Sequence, residues 1–187
     1  MAGRYEIRFA GSGGQGVILA AVITGEAASI YEEGLHVVQS QSYGPEARGG
    51  KSKAEVVIST EPIDYPKAIK PNLQVILTQQ AAEEYAGETL PGGRIIYDDF
   101  FVTSFPQVDA NVYYLPIIRT AREKLGKEIV TNMVALGAVA RVLELEKIAK
   151  PESIKKAILG KVPQGTKQLN SQAFDEGYEL FKNSVHL

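Results

Sequence analysis

The hydrophobic positions of this chain form short apolar runs separated by polar turns, the pattern of strands that alternate with helices. Residues 5–10 alternate and favour a strand, whereas residues 17–23 are apolar on nearly every side and predict a buried helix that continues to about residue 33. Between them lies Gly11-Ser12-Gly13-Gly14-Gln15-Gly16, which predicts a tight turn. Strand, glycine turn and buried helix make the first half of a βαβ unit.

The same pattern continues along the chain and becomes helical in its last third. Further strands are predicted at 35–41, 54–59, 73–78, 94–98 and 111–116, and helices at 80–85, 120–125, 133–143, 152–159 and 174–181. Residues 161–170 read as a polar loop. We therefore predict one α/β domain over residues 1–187, with a mainly parallel sheet, helices on both faces, a Rossmann-like first βαβ unit and a helical C-terminal third.

The glycine turn matches the sequence motif G-x-G-x-x-G of dinucleotide-binding sites. That fingerprint also needs an acidic residue at the end of the second strand to hold the ribose hydroxyls, and residues 35–41 end without one. The turn itself is still predicted to be an anion-binding site, because the N–H groups of Gly14, Gln15 and Gly16 would lie at the positive end of a helix dipole. A nucleotide cofactor such as NAD or FAD is disfavoured.

The loop that follows the second predicted strand is unusual, because it combines Tyr43, Arg48, Gly49 and Gly50. One interpretation is a solvated, hairpin-like connection. The other is that the two glycines let a partner approach the backbone, while Arg48 offers its planar guanidinium to a phosphate or carboxylate. Two later residues are also open to two interpretations: Asn132 is an N-cap or a site residue, and Asp98 is a solvated strand end or a site residue.

The composition excludes several kinds of function. The net charge of −2 gives no basic surface for nucleic acid or an anionic membrane. The chain has no cysteine and only two histidines, which excludes disulfides and thiolate-bound iron–sulfur clusters and leaves little material for a metal site. No apolar signal or membrane-spanning run is visible, so the expected location is the cytoplasm. We expect the reactive centre to lie on another chain.

Three segments together resemble the gamma subunit of 2-oxoacid:ferredoxin oxidoreductases. They are residues 8–16, with Gly-Ser-Gly-Gly-Gln-Gly; residues 43–50, with Tyr-Gly-Pro-Glu-Ala-Arg-Gly-Gly; and residues 132–138, with Asn-Met-Val-Ala-Leu-Gly-Ala. Residues 170–177 resemble the closing segment of the same family. The resemblance spans nearly the whole chain in the right order.

The resemblance implies a role in oxidative decarboxylation of a 2-oxoacid to its acyl-CoA, with 2-oxoglutarate as the expected substrate and pyruvate as another that the family uses. It implies that thiamine diphosphate, iron–sulfur clusters and CoA belong to the complex, and that this chain alone holds none of them. The expected partners are alpha and beta subunits, a delta subunit where the enzyme has one, and ferredoxin through the complex. No catalytic or metal-binding residue is expected here. The residues expected to contact a cofactor or subunit are Gly11, Gly13, Gly14, Gln15, Gly16, Tyr43, Arg48, Gly49, Gly50 and Asn132.

Two functions from different classes therefore stand. The first is a required gamma subunit that packs on catalytic subunits and helps to close the active site or accommodate CoA; alone, such a chain would expose apolar surface and could self-associate. The second is an independent α/β domain that binds a nucleotide or CoA through its glycine turn and has no redox centre of its own. The apolar helices at 17–23 and 133–143 favour the first, unless both lie in this chain's own core.

Overall fold

The computed structural model describes residues 3–43 and 50–184. Their strands form one six-stranded sheet in the order β2-β3-β1-β4-β5-β6. The bounds are β1 Arg4–Ser12, β2 His36–Tyr43, β3 Lys51–Ser59, β4 Leu73–Ile76, β5 Gly93–Tyr97 and β6 Ala110–Tyr114. Strands β1, β4, β5 and β6 are parallel, and β3 is antiparallel to both of its neighbours. The sheet is thus mainly parallel, as predicted.

The first βαβ unit has an extra strand inside it. β2 runs parallel to β1, but β3 lies between them and pairs with β1 from Arg4↔Ser59 to Ser12↔Lys51. The reason is local: β2 and β3 are consecutive and form a hairpin, so β3 returns antiparallel and takes the place beside β1. The two strands that flank the intervening loop therefore form a hairpin, as the first interpretation of this loop implied.

The described residues form six helices. They are α1 Val17–Tyr31, α2 Gln79–Tyr85, α3 Ile117–Arg119 (continued by a π-helical turn, Thr120–Lys124), α4 Thr131–Leu145, α5 Pro151–Lys161 and α6 Lys167–Lys182. Of these, α1 and α2 pack directly on the sheet. Helices α1, α4, α5 and α6 share the larger apolar core, and α2 packs on the smaller one that includes Ala10, Ile76 and Ile95.

The prediction of a polar loop at 161–170 was wrong for its last residues, because α6 already begins at Lys167. Asn170, Ala173, Phe174, Gly177 and Phe181 are buried on one face of that helix. This spacing of three and four residues is amphipathic, but the first turn carries mostly polar residues, which hid the start of the helix from the sequence pattern.

Helix α4 is buried by its own chain. It packs most extensively on α6, where Gly137 and Gly177 bring the two backbones together: a Cβ on Gly137 would overlap Phe174 O, and one on Gly177 would overlap Val134 O. Close packing is therefore the reason for a glycine inside this helix. The apolar character of α1 and α4 reflects this chain's own core and does not by itself indicate a partner.

Candidate functional site: a glycine turn at the carboxyl edge of the sheet

The glycine turn connects β1 to α1 and depends on left-handed backbone at two positions. Gly14 has φ 98° and Gly16 has φ 72°, values that residues with a Cβ rarely adopt. The turn is closed by the Gln15 N–H, which donates to Ser12 O at 3.2 Å. Helix α1 then starts without a side-chain cap. The sequence thus builds a sharp connection in which four of the six residues, 11–16, are glycines without a side chain.

The Gln15 side chain fixes this turn to the neighbouring parallel strand. Its Oε1 accepts a hydrogen bond from Ser12 N at 2.8 Å, and its Nε2 donates one to Leu77 O at 3.2 Å. Leu77 N in turn donates to Ala10 O at 3.0 Å. The sequence did not single out Leu77, which reaches the turn only because β4 pairs beside β1. The Gln15 side chain therefore links the carboxyl ends of β1 and β4 by hydrogen bonds.

A backbone hydrogen bond joins the two glycine motifs of the sequence. Gly13 N donates to Gly50 O at 2.9 Å, and Gly50 is buried directly before β3, the second strand of the hairpin. The backbone of Tyr43 ends β2 at the same edge of the sheet, opposite Ser52 of β3. Arg48 and Gly49 lie outside the described residues.

Asn132 approaches the turn from helix α4. It lies in the first turn of that helix, and Val130 occupies the N-cap position, so the expected N-cap role was wrong. A Cβ on Gly16 would lie 2.5 Å from Asn132 Nδ2, and Gly16 has φ 72°, so a larger residue would be both crowded and strained there. Asn132 is 5% exposed, and its Oδ1 has no hydrogen-bond partner among residues 3–43 and 50–184. The structure therefore brings Gly11–Gly16, Gly50 and Asn132 together.

The turn leaves polar backbone available at the surface. Gly13 and Gly14 are exposed, and the N–H groups of Gly14 and Gly16 have no acceptor within the described part of the chain. The Gln15 N–H, in contrast, is used inside the turn, so the expectation of three free donors was wrong for this residue. Two donors at the positive end of α1 can receive an anion or a partner's carbonyl oxygen, but they supply no acid–base pair.

Asp98 is neither a solvated strand end nor an open site residue. It is fully buried, with Oδ1 accepting from Phe100 N at 2.7 Å and Oδ2 from Ile118 N at 2.8 Å. Burial raises the pKa of this carboxyl, while its bonds to the two backbone N–H groups act in the opposite direction. Asp98 therefore holds the loop after β5 against the start of α3.

Two kinds of feature are absent from residues 3–43 and 50–184. No group of three or more His, Asp or Glu side chains is arranged there to hold a metal ion. None of the helices there has the length and apolarity needed to cross a membrane.

Comparisons with known proteins agree with a mainly parallel α/β subunit fold. Residues 6–180 match the family described as pyruvate ferredoxin/flavodoxin oxidoreductase. The chain is 50% identical over 181 residues to a 2-oxoglutarate synthase subunit KorC of Methanocaldococcus jannaschii, with 96% of this chain and 95% of that protein covered. It belongs to the pyruvate ferredoxin/flavodoxin oxidoreductase family and is a gamma-type subunit of a 2-oxoacid:ferredoxin oxidoreductase, as the sequence resemblance implied.

Two solved structures share this fold. The gamma subunit of a keto/oxoacid ferredoxin oxidoreductase from Geobacter sulfurreducens is 44% identical, with a TM-score of 0.87 and full coverage of both chains. A 2-oxoglutarate:ferredoxin oxidoreductase from Magnetococcus marinus, with 2-oxoglutarate, coenzyme A and succinyl-CoA bound, is 26% identical with a TM-score of 0.80. The match covers 97% of this chain but 32% of that one, so there the fold is part of a longer polypeptide.

Proposed function

We propose that this chain serves an enzyme that oxidatively decarboxylates 2-oxoglutarate to its acyl-CoA and passes the electrons to ferredoxin. In this proposal the chain packs through its glycine turn on the thiamine-binding alpha and beta subunits, and on a delta subunit where one is present. It helps to close their active site or to accommodate CoA, and its place is the cytoplasm. The KorC relative and the substrates in the Magnetococcus marinus structure support 2-oxoglutarate.

The residues of this chain do not fit an iron–sulfur cluster, because the chain has no cysteine to ligate one. No redox step is therefore assigned to it, and the clusters and thiamine diphosphate are proposed for the other subunits. The glycine turn does fit an anion such as a CoA phosphate, because its open N–H groups lie at the positive end of α1.

One observation carries the proposal: contacts within the chain hold the turn in place, while part of its backbone is exposed. Gln15, Gly50 and Asn132 fix it from within the chain, whereas Gly13 and Gly14 are exposed. A backbone surface fixed in this way can receive a partner or ligand without having to be ordered first, which lowers the entropic cost of binding. Arg48, two residues before Gly50 in the sequence, is the proposed charged contact to a partner carboxylate or a CoA phosphate.

The first test is to purify the tagged chain from its native host without oxygen. We expect a thiamine-binding chain and iron–sulfur clusters to accompany it, and the eluate to reduce a viologen dye when 2-oxoglutarate and CoA are both present. A solitary chain would contradict the subunit role. Activity with pyruvate alone would contradict the substrate.

A pair of variants tests the turn itself. Gly14→Glu places a side chain and a negative charge over the open N–H groups, and we expect a raised KM for CoA or loss of assembly. Gly92→Glu is the matched control, because Gly92 has φ 74°, is exposed, and lies at the amino end of β5 away from the turn; at both positions a Cβ would meet no atom within 4 Å. Arg48→Ala is expected to weaken assembly or turnover while the isolated chain stays folded.

The independent nucleotide-binding function is not favoured by the sheet order. In a dinucleotide fold the parallel second strand lies beside β1 and carries the ribose-binding acid. Here antiparallel β3 occupies that position and displaces β2 by one strand, about 5 Å further from the turn.

A further inference from the structure

A small polar pocket lies on the face of the sheet that α1 does not cover. Residues paired across neighbouring strands point to the same side of a sheet, and Lys53 of the pocket is paired with Ala10, which belongs to the core under α2. Helix α1 shares the other core with Phe9, whose side chain points to the opposite side. The pocket has a volume of about 210 Å³ and is lined by Ser40, Gln41, Ser42, Lys53, Glu55 and Lys67.

The most buried residue of this lining, Glu55, is already satisfied by groups of the chain itself. It is 4% exposed, and its Oε1 accepts a hydrogen bond from Arg8 Nε at 2.8 Å and lies 3.4 Å from Lys53 Nζ. Its Oε2 accepts from Ala68 N at 3.3 Å. Glu55 therefore needs no cation from outside, and the pocket is not a metal site.

Three other side chains of the lining are hydrogen-bond donors without a partner. Within residues 3–43 and 50–184, Lys67 Nζ forms no ion pair, and the hydroxyl groups of Ser40 and Ser42 form no hydrogen bond. Lys53 also keeps part of its donor capacity, because an ammonium group carries three N–H bonds and only one of them can point at Glu55. The pocket therefore offers donors and lacks a free acceptor among these side chains.

The backbone that carries these donors is fixed. Arg4 Nη2 donates to Lys67 O at 2.6 Å, and the next N–H group, that of Ala68, donates to Glu55. Ser40 and Ser42 alternate on β2 and so share one face, where the strand pairing sets Ser42 beside Lys53. Donors that are positioned before binding lower the entropic cost of receiving a ligand.

We infer that this pocket binds a phosphate group, either as inorganic phosphate or as part of a small phosphate ester. The positive charges of Arg8, Lys53 and Lys67 exceed by one the negative charges of Glu55 and Glu88, the two carboxylates that pair with Arg8. Lysine is a frequent phosphate ligand, and the acceptor oxygens of a phosphate are numerous enough to take two ammonium groups and two hydroxyls together. This site is separate from the glycine turn and does not rest on the proposed function.

The test is a calorimetric titration of inorganic phosphate into the purified full chain at constant ionic strength. Lys67→Gln removes one ammonium group from the pocket. Lys70→Gln is the matched control, because Lys70 is exposed on the same loop between β3 and β4 and does not line the pocket. We expect saturable binding that Lys67→Gln weakens by about tenfold, the loss of one charge-assisted hydrogen bond, while Lys70→Gln keeps the wild-type affinity.

A second variant and a second measurement locate the phosphate. Ser42→Ala removes a neutral donor, and we expect a smaller loss of affinity than with Lys67→Gln. In NMR spectra of the labelled chain, phosphate should shift the amide signals of Ser40 and Ser42 and leave those of Gly14 and Gly16 in place. Shifts confined to the glycine turn, with wild-type affinity in Lys67→Gln, would overturn the inference.

Two further results would also overturn it. The first is the absence of saturable phosphate binding, and the second is equal loss in Lys67→Gln and Lys70→Gln, which would indicate general attraction by surface charge. Glycerol 3-phosphate distinguishes the two sources of the group: tighter binding than inorganic phosphate, with the same loss in Lys67→Gln, identifies an ester, and weaker binding identifies the free ion. A chain that co-purifies with catalytic subunits but binds no phosphate would contradict this inference alone.

Discussion

Glycine brings backbones close together in two regions of this protein, with opposite consequences. Between α4 and α6, Gly137 and Gly177 let two buried helices touch, and the space between them is filled by the chain itself. At the carboxyl edge, the glycine turn contacts Gly50, Leu77 and Asn132, and its backbone at Gly13 and Gly14 is exposed. The first region is a packing contact, and the second is a turn that is held in place while part of its backbone stays exposed.

The difference lies in where the missing side chains would point. A Cβ on Gly177 would overlap backbone atoms of α4, which cannot move aside, whereas a Cβ on Gly14 would meet no atom within 4 Å. Gly14 instead needs its left-handed conformation. A glycine can therefore be required for packing, for conformation or, as at Gly16, for both. Substitutions should separate these causes.

The largest effect is expected for Gly177→Ala. Its methyl group would collide with Val134 of α4, and the helices would have to separate, so we expect a loss of about 3 kcal/mol in the free energy of unfolding. Urea denaturation of the purified chain measures it. The control is Gly160→Ala in α5, where a Cβ would meet nothing within 4 Å and helix propensity favours alanine by up to about 1 kcal/mol. A harmless Gly177→Ala would remove the distinction between the two regions.

A smaller loss, about 2 kcal/mol, is expected for Gly16→Ala, which combines left-handed strain with overlap on Asn132. Gly14→Ala isolates the strain and should cost about 1 kcal/mol. The double variant Gly16→Ala with Asn132→Ala removes Asn132 Nδ2 and Cγ, the two closest of the overlapped atoms, so in the Asn132→Ala background the Gly16→Ala cost should fall toward that of Gly14→Ala. A simple sum of the two single effects in urea unfolding would show that Asn132 does not enforce the glycine.

A similarly small effect on stability is expected for Asp98. Its carboxylate accepts hydrogen bonds from two backbone N–H groups, at the same edge of the sheet where the glycine turn has N–H groups without an acceptor among the described residues. Because burial raises its pKa, protonation favours the folded chain. This contribution to stability is therefore complete below the ordinary pKa of an aspartate and is lost as pH rises through the raised value. Asp98→Asn cannot titrate and should cost about 1 kcal/mol at neutral pH.

The free-energy gap between wild type and Asp98→Asn should therefore narrow as pH rises through the acid range and then stay constant. Urea unfolding of both proteins in steps from about pH 4 to 7 measures the gap. A gap that widens with rising pH would mean that the bonds from Phe100 and Ile118 outweigh burial, and that this carboxyl is held ionised.

The sequence by itself determined the elements and the nature of the turn. Residues 5–10 and 17–23 predicted β1 and α1 because strand alternation and a continuous apolar run are local properties, and the glycines between them required a turn with positive φ. The absence of cysteine likewise excluded a thiolate-bound iron–sulfur cluster on this chain. The resemblance in residues 8–16, 43–50 and 132–138 indicated the family to which the chain belongs.

Only the tertiary structure decided which distant residues meet. Sequence spacing gave no sign that β3 would separate β1 from β2, that Leu77 would receive the Gln15 side chain, or that Asn132 would crowd a side chain at position 16. The tertiary structure also showed that Asp98 is buried and not a solvated strand end, because burial depends on the elements that cover the end of a strand. The physical reason is that strand order, helix crossing and burial are set by contacts between residues far apart in the chain, which local periodicity does not encode.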